Sequence, residues 1–217
     1  MAEAVKQAGI TAGLMPATIN RRLAVLRRVA NLAYRQWGWL DTSLGERIRL
    51  LPGERQRSVH LTPEEVQKLA ATAPGKAVRE AILLAAMSGL RKGELLSLKA
   101  ADRVDGALSL GETKAGRPRV VPLPPEALDI PLPIKLTVDE LRVGFDIARA
   151  KAKLPHVRFH DLRRTYGTWL SNAGAPLAAI RDLLGHSNIS VTSRYLATST
   201  SDLRAAVNKL PRLKGKA

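Results

Sequence analysis

The chain contains no cysteine. Disulfides, thiolate metal sites and cysteine nucleophiles are therefore excluded. Acidic side chains are scarce beside basic ones: 19 Asp and Glu stand against 35 Lys and Arg, a formal charge of +16. No stretch approaches the ~18 apolar residues that a membrane span requires. The first residues, Met1-Ala2-Glu3-Ala4-Val5-Lys6, carry no secretory apolar run. Carboxylate clusters and Walker-type glycine loops are missing too, as are internal repeats and long low-complexity segments. The expectation is chemistry that uses no metal and no nucleotide cofactor.

What remains is ordinary in bulk and unusual in charge. With 217 residues, 45% hydrophobic and 25% charged, the chain suits one good-sized domain plus a smaller piece, each with a core. The positive surplus, with a pI near 10.9, favours a polyanion, and nucleic acid is the usual one. A solubilising surface or an anionic membrane is the blander reading. The simplest placement is a cytoplasmic, nucleoid-associated protein.

Periodicity gives a mainly α architecture with one small antiparallel β-sheet (α+β). Residues 17–36 read as a helix, because Ile19, Leu23, Leu26, Ala30 and Ala33 form one apolar stripe. Arg21, Arg28 and Arg35 recur every seven residues nearly opposite it, a face able to lie on a phosphate backbone or merely in solvent. Residues 41–56 contain Pro52-Gly53 and little periodicity, and read as a linker. Thr62-Pro63-Glu64-Glu65 opens a helix with a capping box. Residues 77–88 form an apolar, buried helix ended by Gly89. A hairpin over 107–122 turns near Ala115-Gly116, and a proline-rich loop covers 122–133. Thr137 and Glu140 cap a helix running to about residue 153. Short helices follow over about 160–173, 176–184, 188–196 and 202–209.

The residues that carry chemistry are concentrated late in the chain. They are His160-Asp161-Leu162-Arg163, Leu184-Gly185-His186, and Tyr195 nine positions further on. Upstream lie Arg91, within Ser88-Gly89-Leu90-Arg91-Lys92-Gly93-Glu94-Leu95, and Lys114, within Thr113-Lys114-Ala115-Gly116-Arg117. Two arginines, a lysine, two histidines and a tyrosine can together hold a phosphodiester, attack it with a phenol and protonate what leaves. Guanidinium forks on Arg91 and Arg163 match the non-bridging oxygens. They count most when a phosphorane gathers negative charge. His160 and Arg163 are three apart on one helix face. His160 is the candidate base or proton relay, and His186 a candidate donor to a non-bridging oxygen. Glu94, one turn beyond Arg91, can orient it by an ion pair. A deoxyribose 5′-alkoxide leaves poorly, so Lys114 near the hairpin turn is the candidate general acid; an ordinary turn lysine is the other reading, with Lys92 or Arg117 as other acids. Tyr34 and Tyr166 read as core residues, which leaves Tyr195.

In order and spacing, these motifs resemble the tyrosine recombinase (phage integrase) family over most of the chain. The resemblance implies the catalytic set Arg91, Lys114, His160, Arg163, His186 and Tyr195, with Tyr195 the nucleophile in a covalent 3′-phosphotyrosine intermediate. It implies double-stranded DNA as partner and a tetramer of protomers acting on two duplexes through a Holliday junction. Residues 201–210 would dock on a neighbour. Arg21, Arg28, Arg35 and Arg117 would contact DNA. The division expected is a partial core-binding helical region with linker at 1–56 and a catalytic domain at 57–217. The front departs from the family, because its core-binding domain is typically longer than these ~55 residues. Two alternatives are a type IB topoisomerase, which shares the chemistry, and a non-catalytic DNA-binding integrase remnant.

Overall fold

The computed structural model describes residues 1–53, 57–111 and 118–185. They fall into two compact units, Met1–Ser58 and a second beginning at Val59.

The first unit is a helical hairpin with a strap. Helix α1 (Ala2–Thr11) precedes α2 (Pro16–Arg35). Weak amphipathicity and the lack of a side-chain cap make α1 hard to read from sequence. It packs through Gly9, where a Cβ would come within 2.7 Å of Ile19 Cγ1. In α2 the predicted stripe is the inner face: Ile19, Leu23 and Ala33 are buried. Pro16 suits the first helical position, where its missing N–H costs nothing. Part of the stretch read as a linker is tied down on α2. Asn20 donates from Nδ2 to Leu51 O at 3.0 Å and accepts from Leu51 N at 2.7 Å. Gly45 abuts Asn31, leaving no room for a Cβ. Tyr34 is not a core residue: it is 40% exposed, because its position lies past the edge of the stripe.

In the second unit the apolar helix predicted from sequence is α4 (Lys76–Ser88), with Val78, Ala81, Ile82, Leu84, Ala85 and Ala86 buried. Helix α3 (Pro63–Ala71) packs on it. The capping box at its start is present, with Thr62 Oγ1 accepting from Glu65 N and Glu65 Oε2 accepting from Thr62 N. Gly89 ends α4 at φ +65°, and a Cβ there would meet Tyr166 and Leu184. The short helix α5 (Lys92–Ser97) follows at once.

Three antiparallel strands come next: β1 (Arg103–Val104), β2 (Ala107–Leu110) and β3 (Arg119–Pro122), in that order across the sheet. The predicted hairpin is β2–β3, with Leu108 paired to Val121 and both wholly buried. Its turn, 112–117, lies outside the described residues. Strand β1 escapes sequence reading because it is two residues long, although Asp105-Gly106 behind it, both at positive φ, is a hairpin turn pair. The proline-rich loop carries a single turn, α6 (Pro125–Leu128).

Helix α7 (Val138–Lys151) starts on the predicted Thr137–Glu140 box. Helix α8 (Phe159–Asn172) packs on α4, and α9 (Leu177–Leu184) packs on α8. Phe145 of α7 meets Phe159 edge-on at 5.4 Å between ring centres, fixing the start of α8. Tyr166, 9% exposed, is a core residue as expected. A clasp joins the front of the unit to α8. Leu61 donates its N–H to Thr165 Oγ1 at 3.0 Å, and its carbonyl accepts from Trp169 Nε1 at 3.0 Å. The helices expected over 188–196 and 202–209 lie outside the described residues.

Candidate active site

Four chain segments meet at one place: Gly89–Glu94, Arg163 of α8, the end of α9 and the start of β3. Arg91 sits at the N-cap of α5. Its N–H donates to Glu94 Oε2 at 2.8 Å, its Nη1 to Glu94 Oε1 at 2.7 Å and its Nη2 to Gly185 O at 3.1 Å. The predicted ion pair between Arg91 and Glu94 is therefore present. Arg91 keeps 29% of its side chain exposed, against 5% for Glu94.

Arg163 is placed differently. At 2% exposure it lies beneath the surface. Its Nη1 donates to Gly89 O at 2.7 Å and its Nη2 to Leu184 O. The guanidinium thus satisfies two carbonyls at helix ends, where intrahelical partners run out. His160 shares the helix and is open to solvent.

The electrostatics follow from this packing. Burial pushes the Glu94 carboxyl up, but the Arg119 hydrogen bond, the Arg91 N–H and guanidinium, and the Arg119 charge outweigh it and hold the pKa at about 2. His160 titrates below the ordinary histidine range. The protein mass around it and the Arg163 charge dominate, Asp161 opposes them, and Arg164 and Arg91 add to the lowering. A neutral imidazole near neutral pH is able to accept a proton.

Arg119 is the residue that sequence reading passes over. It bonds both Glu94 oxygens, from Nη1 at 3.2 Å and Nη2 at 2.8 Å, and Leu183 O from Nε at 3.0 Å. Strand alternation carried the signal. Arg119 shares the face of core residue Val121, whereas Val120 between them is 59% exposed. An inward-facing arginine has to be paired.

Of the remaining candidates, Lys114, Arg117, His186 and Tyr195 lie outside the described residues. Gly185, just before His186, ends α9 in the left-handed conformation at φ +61°. Arg21, Arg28 and Arg35 are all exposed on α2, and Arg28 and Arg35 share a groove with Arg27. Arg35 also approaches exposed Glu46 at 3.9 Å, a contact weak in water. Among the described residues no group of three or more His, Asp or Glu is placed to hold a metal, and no helix is long and apolar enough to cross a membrane.

Known proteins share the sequence pattern and the fold of this chain. The model of the phage integrase family matches residues 135–202. The tyrosine recombinase XerA of Thermococcus kodakarensis is 32% identical over 88% of this chain and 75% of its own length. The integrase of Haemophilus phage HP1 is 27% identical over 90% of this chain and 60% of its own length. Among solved structures, the Tn1549 transposon integrase in complex with circular intermediate DNA superposes with a TM-score of 0.72 over 95% of this chain and 83% of that one, at 21% identity. The fold is that of integrase catalytic domains. By sequence as well as fold, the chain belongs to the tyrosine recombinase family.

Proposed function

We propose that the chain is a site-specific DNA recombinase of integrase type that cleaves and rejoins strands through Tyr195. The supporting observation is the convergence of Arg91 and Arg163 on the Leu184–Gly185 end of α9, immediately before His186, with His160 within reach of the charge of both arginines. Residues 1–56 are read as part of a core-binding helical region and 57–217 as the catalytic domain. Double-stranded DNA is the partner, with protomers associating on it as a tetramer and Arg21, Arg28, Arg35 and Arg117 on its backbone. The protein acts in the cytoplasm, at the nucleoid.

In this reading Arg91 offers its exposed edge to a non-bridging oxygen of the scissile phosphate. Arg163 places a buried positive charge beneath the same site, and His186 donates to a second oxygen. The Tyr195 oxygen attacks phosphorus while its proton passes to His160. The bond from phosphorus to the deoxyribose 5′-oxygen breaks, and Lys114 protonates that oxygen. The 3′-phosphotyrosyl ester keeps the energy of the broken bond, so attack by a 5′-hydroxyl reseals a strand. Glu94 holds Arg91 and does not touch the substrate.

The test uses duplexes that the protein enriches from a random-sequence pool, nicked so that the short leaving strand diffuses away. The parent should become linked to the 3′ end of the labelled strand on a denaturing gel. Tyr195→Phe should bind the same duplex and form no adduct. An adduct with Tyr195→Phe, or a link to a 5′ end, would refute the mechanism.

A further inference from the structure

Arg119 opens β3 with its side chain 7% exposed, too deep to reach a DNA backbone. Each of its three nitrogens has an acceptor. Two of these contacts fall on the carboxylate that also holds Arg91, and the third on the last turn of α9. We propose that Arg119 is a positioning residue for strand cleavage: through Glu94 it fixes the Arg91 guanidinium, and through Leu183 it fixes the end of α9 that leads into His186. The proposal rests on the functional reading above.

A carboxylate held by a single arginine can rock about that pair. The forked bond from Arg119 spans both Glu94 oxygens and fixes the carboxylate plane. The remaining lone pairs then have set directions, toward the Arg91 N–H on Oε2 and the Arg91 Nη1 on Oε1. The other acceptor of Arg91 is Gly185 O. Gly185 itself packs on Arg119, since a Cβ there would lie 2.8 Å from Nη1 and 3.0 Å from Cζ. One guanidinium therefore braces both supports of Arg91. A lysine would restore the charge at a single point and could not bridge two oxygens and a carbonyl together. Reaction geometry is steep: a displacement of about 1 Å costs on the order of 10²-fold in rate.

The experiment compares Arg119→Ala, Arg119→Lys, Glu94→Gln and the Arg119→Ala/Glu94→Gln double variant on the nicked duplexes. Duplex affinity should fall far less than the rate, by about the loss of one net hydrogen bond, roughly fivefold. The single-turnover rate of adduct formation should fall on the order of 10²-fold for Arg119→Ala, with Arg119→Lys no better than partly restored. The double variant should fall well short of the product of the two single effects, because the Glu94 route is shared and only the Leu183 route is left for Arg119→Ala to remove. Parental cleavage by Arg119→Ala, multiplying effects in the double variant, or binding lost in step with rate would each overturn the proposal. If the parent itself forms no adduct, the functional reading has failed, and a DNA-free arm still decides positioning. Inorganic phosphate is titrated into protein carrying ¹⁵N-labelled arginine, following the Arg91 Nε–H signal assigned with Arg91→Lys. Arg119→Ala should weaken phosphate binding at least about fivefold, the loss expected for one net hydrogen bond. Unchanged phosphate affinity overturns the proposal.

Discussion

A buried carboxylate between two guanidiniums is stable only while it is ionised, and this gives Glu94 a signature in acid. Its pKa is about 2 in the fold against 4.5 for the free side chain. A depressed carboxyl contributes its stabilisation fully above pH 4.5, and that contribution drains away as pH falls toward 2. Chemical denaturation of the parent between pH 5 and 2 should therefore show a loss that Glu94→Gln lacks in that window. Identical slopes for the two proteins would mean that Glu94 is not held by the arginines. His160 behaves in the opposite chemical sense, being a base whose charged form the fold disfavours. At the level of residues, the pairing of Arg91 with Glu94 was legible because a spacing of three at a helix start brings side chains together. The depth of Arg163 was not. Its motif resembles that of a phosphate ligand, whereas its burial depends on where α4 and α9 end, which no local pattern states. The place of Arg119 follows from period-two reading of a strand, a weaker signal than the run of cations in the neighbouring turn.

Helix starts are where this sequence speaks most clearly. The boxes at Thr62–Glu65 and Thr137–Glu140 are both present with reciprocal bonds. Each satisfies backbone N–H groups that the first turn leaves without partners. Thr62→Ala removes the side-chain acceptor for Glu65 N and should cost about 1 kcal/mol. For a domain of this size that corresponds to a Tm lower by roughly 2–4 °C, measurable by calorimetry. A Tm unchanged would show that tertiary contacts, not the cap, fix the start of α3. Elements with shorter or weaker signals are harder to see. Helix α1 has no side-chain cap, α5 spans only Lys92–Ser97, and β1 has two residues. In each case tertiary contacts, Gly9 on Ile19 among them, supply what local propensity does not.

At the scale of the whole molecule, a charge of +16 bears on partners and salt. If about six phosphates are neutralised, the slope of log affinity against log salt should be about −5. Gel-shift titrations across salt concentrations check this. The triple change Arg21→Ala, Arg28→Ala, Arg35→Ala should make the slope shallower, since all three are exposed on one face of α2. A flat response in the parent would remove the electrostatic case for DNA. The fold class, the central α4 and the β2–β3 hairpin were readable in advance, because burial on all sides and strict alternation leave marks in sequence. The clasp on Leu61 left none, and it has a consequence for the order of assembly. Its two partners lie 104 and 108 residues downstream. On a ribosome adding ~5–20 residues per second, Leu61 waits roughly 5–20 s for Thr165 and Trp169 to be made. During that interval α3 and α4 are already synthesised, with α4 still lacking the α8 side of its core. A pause in translation anywhere between them lengthens the time for which an incomplete apolar surface faces the cell.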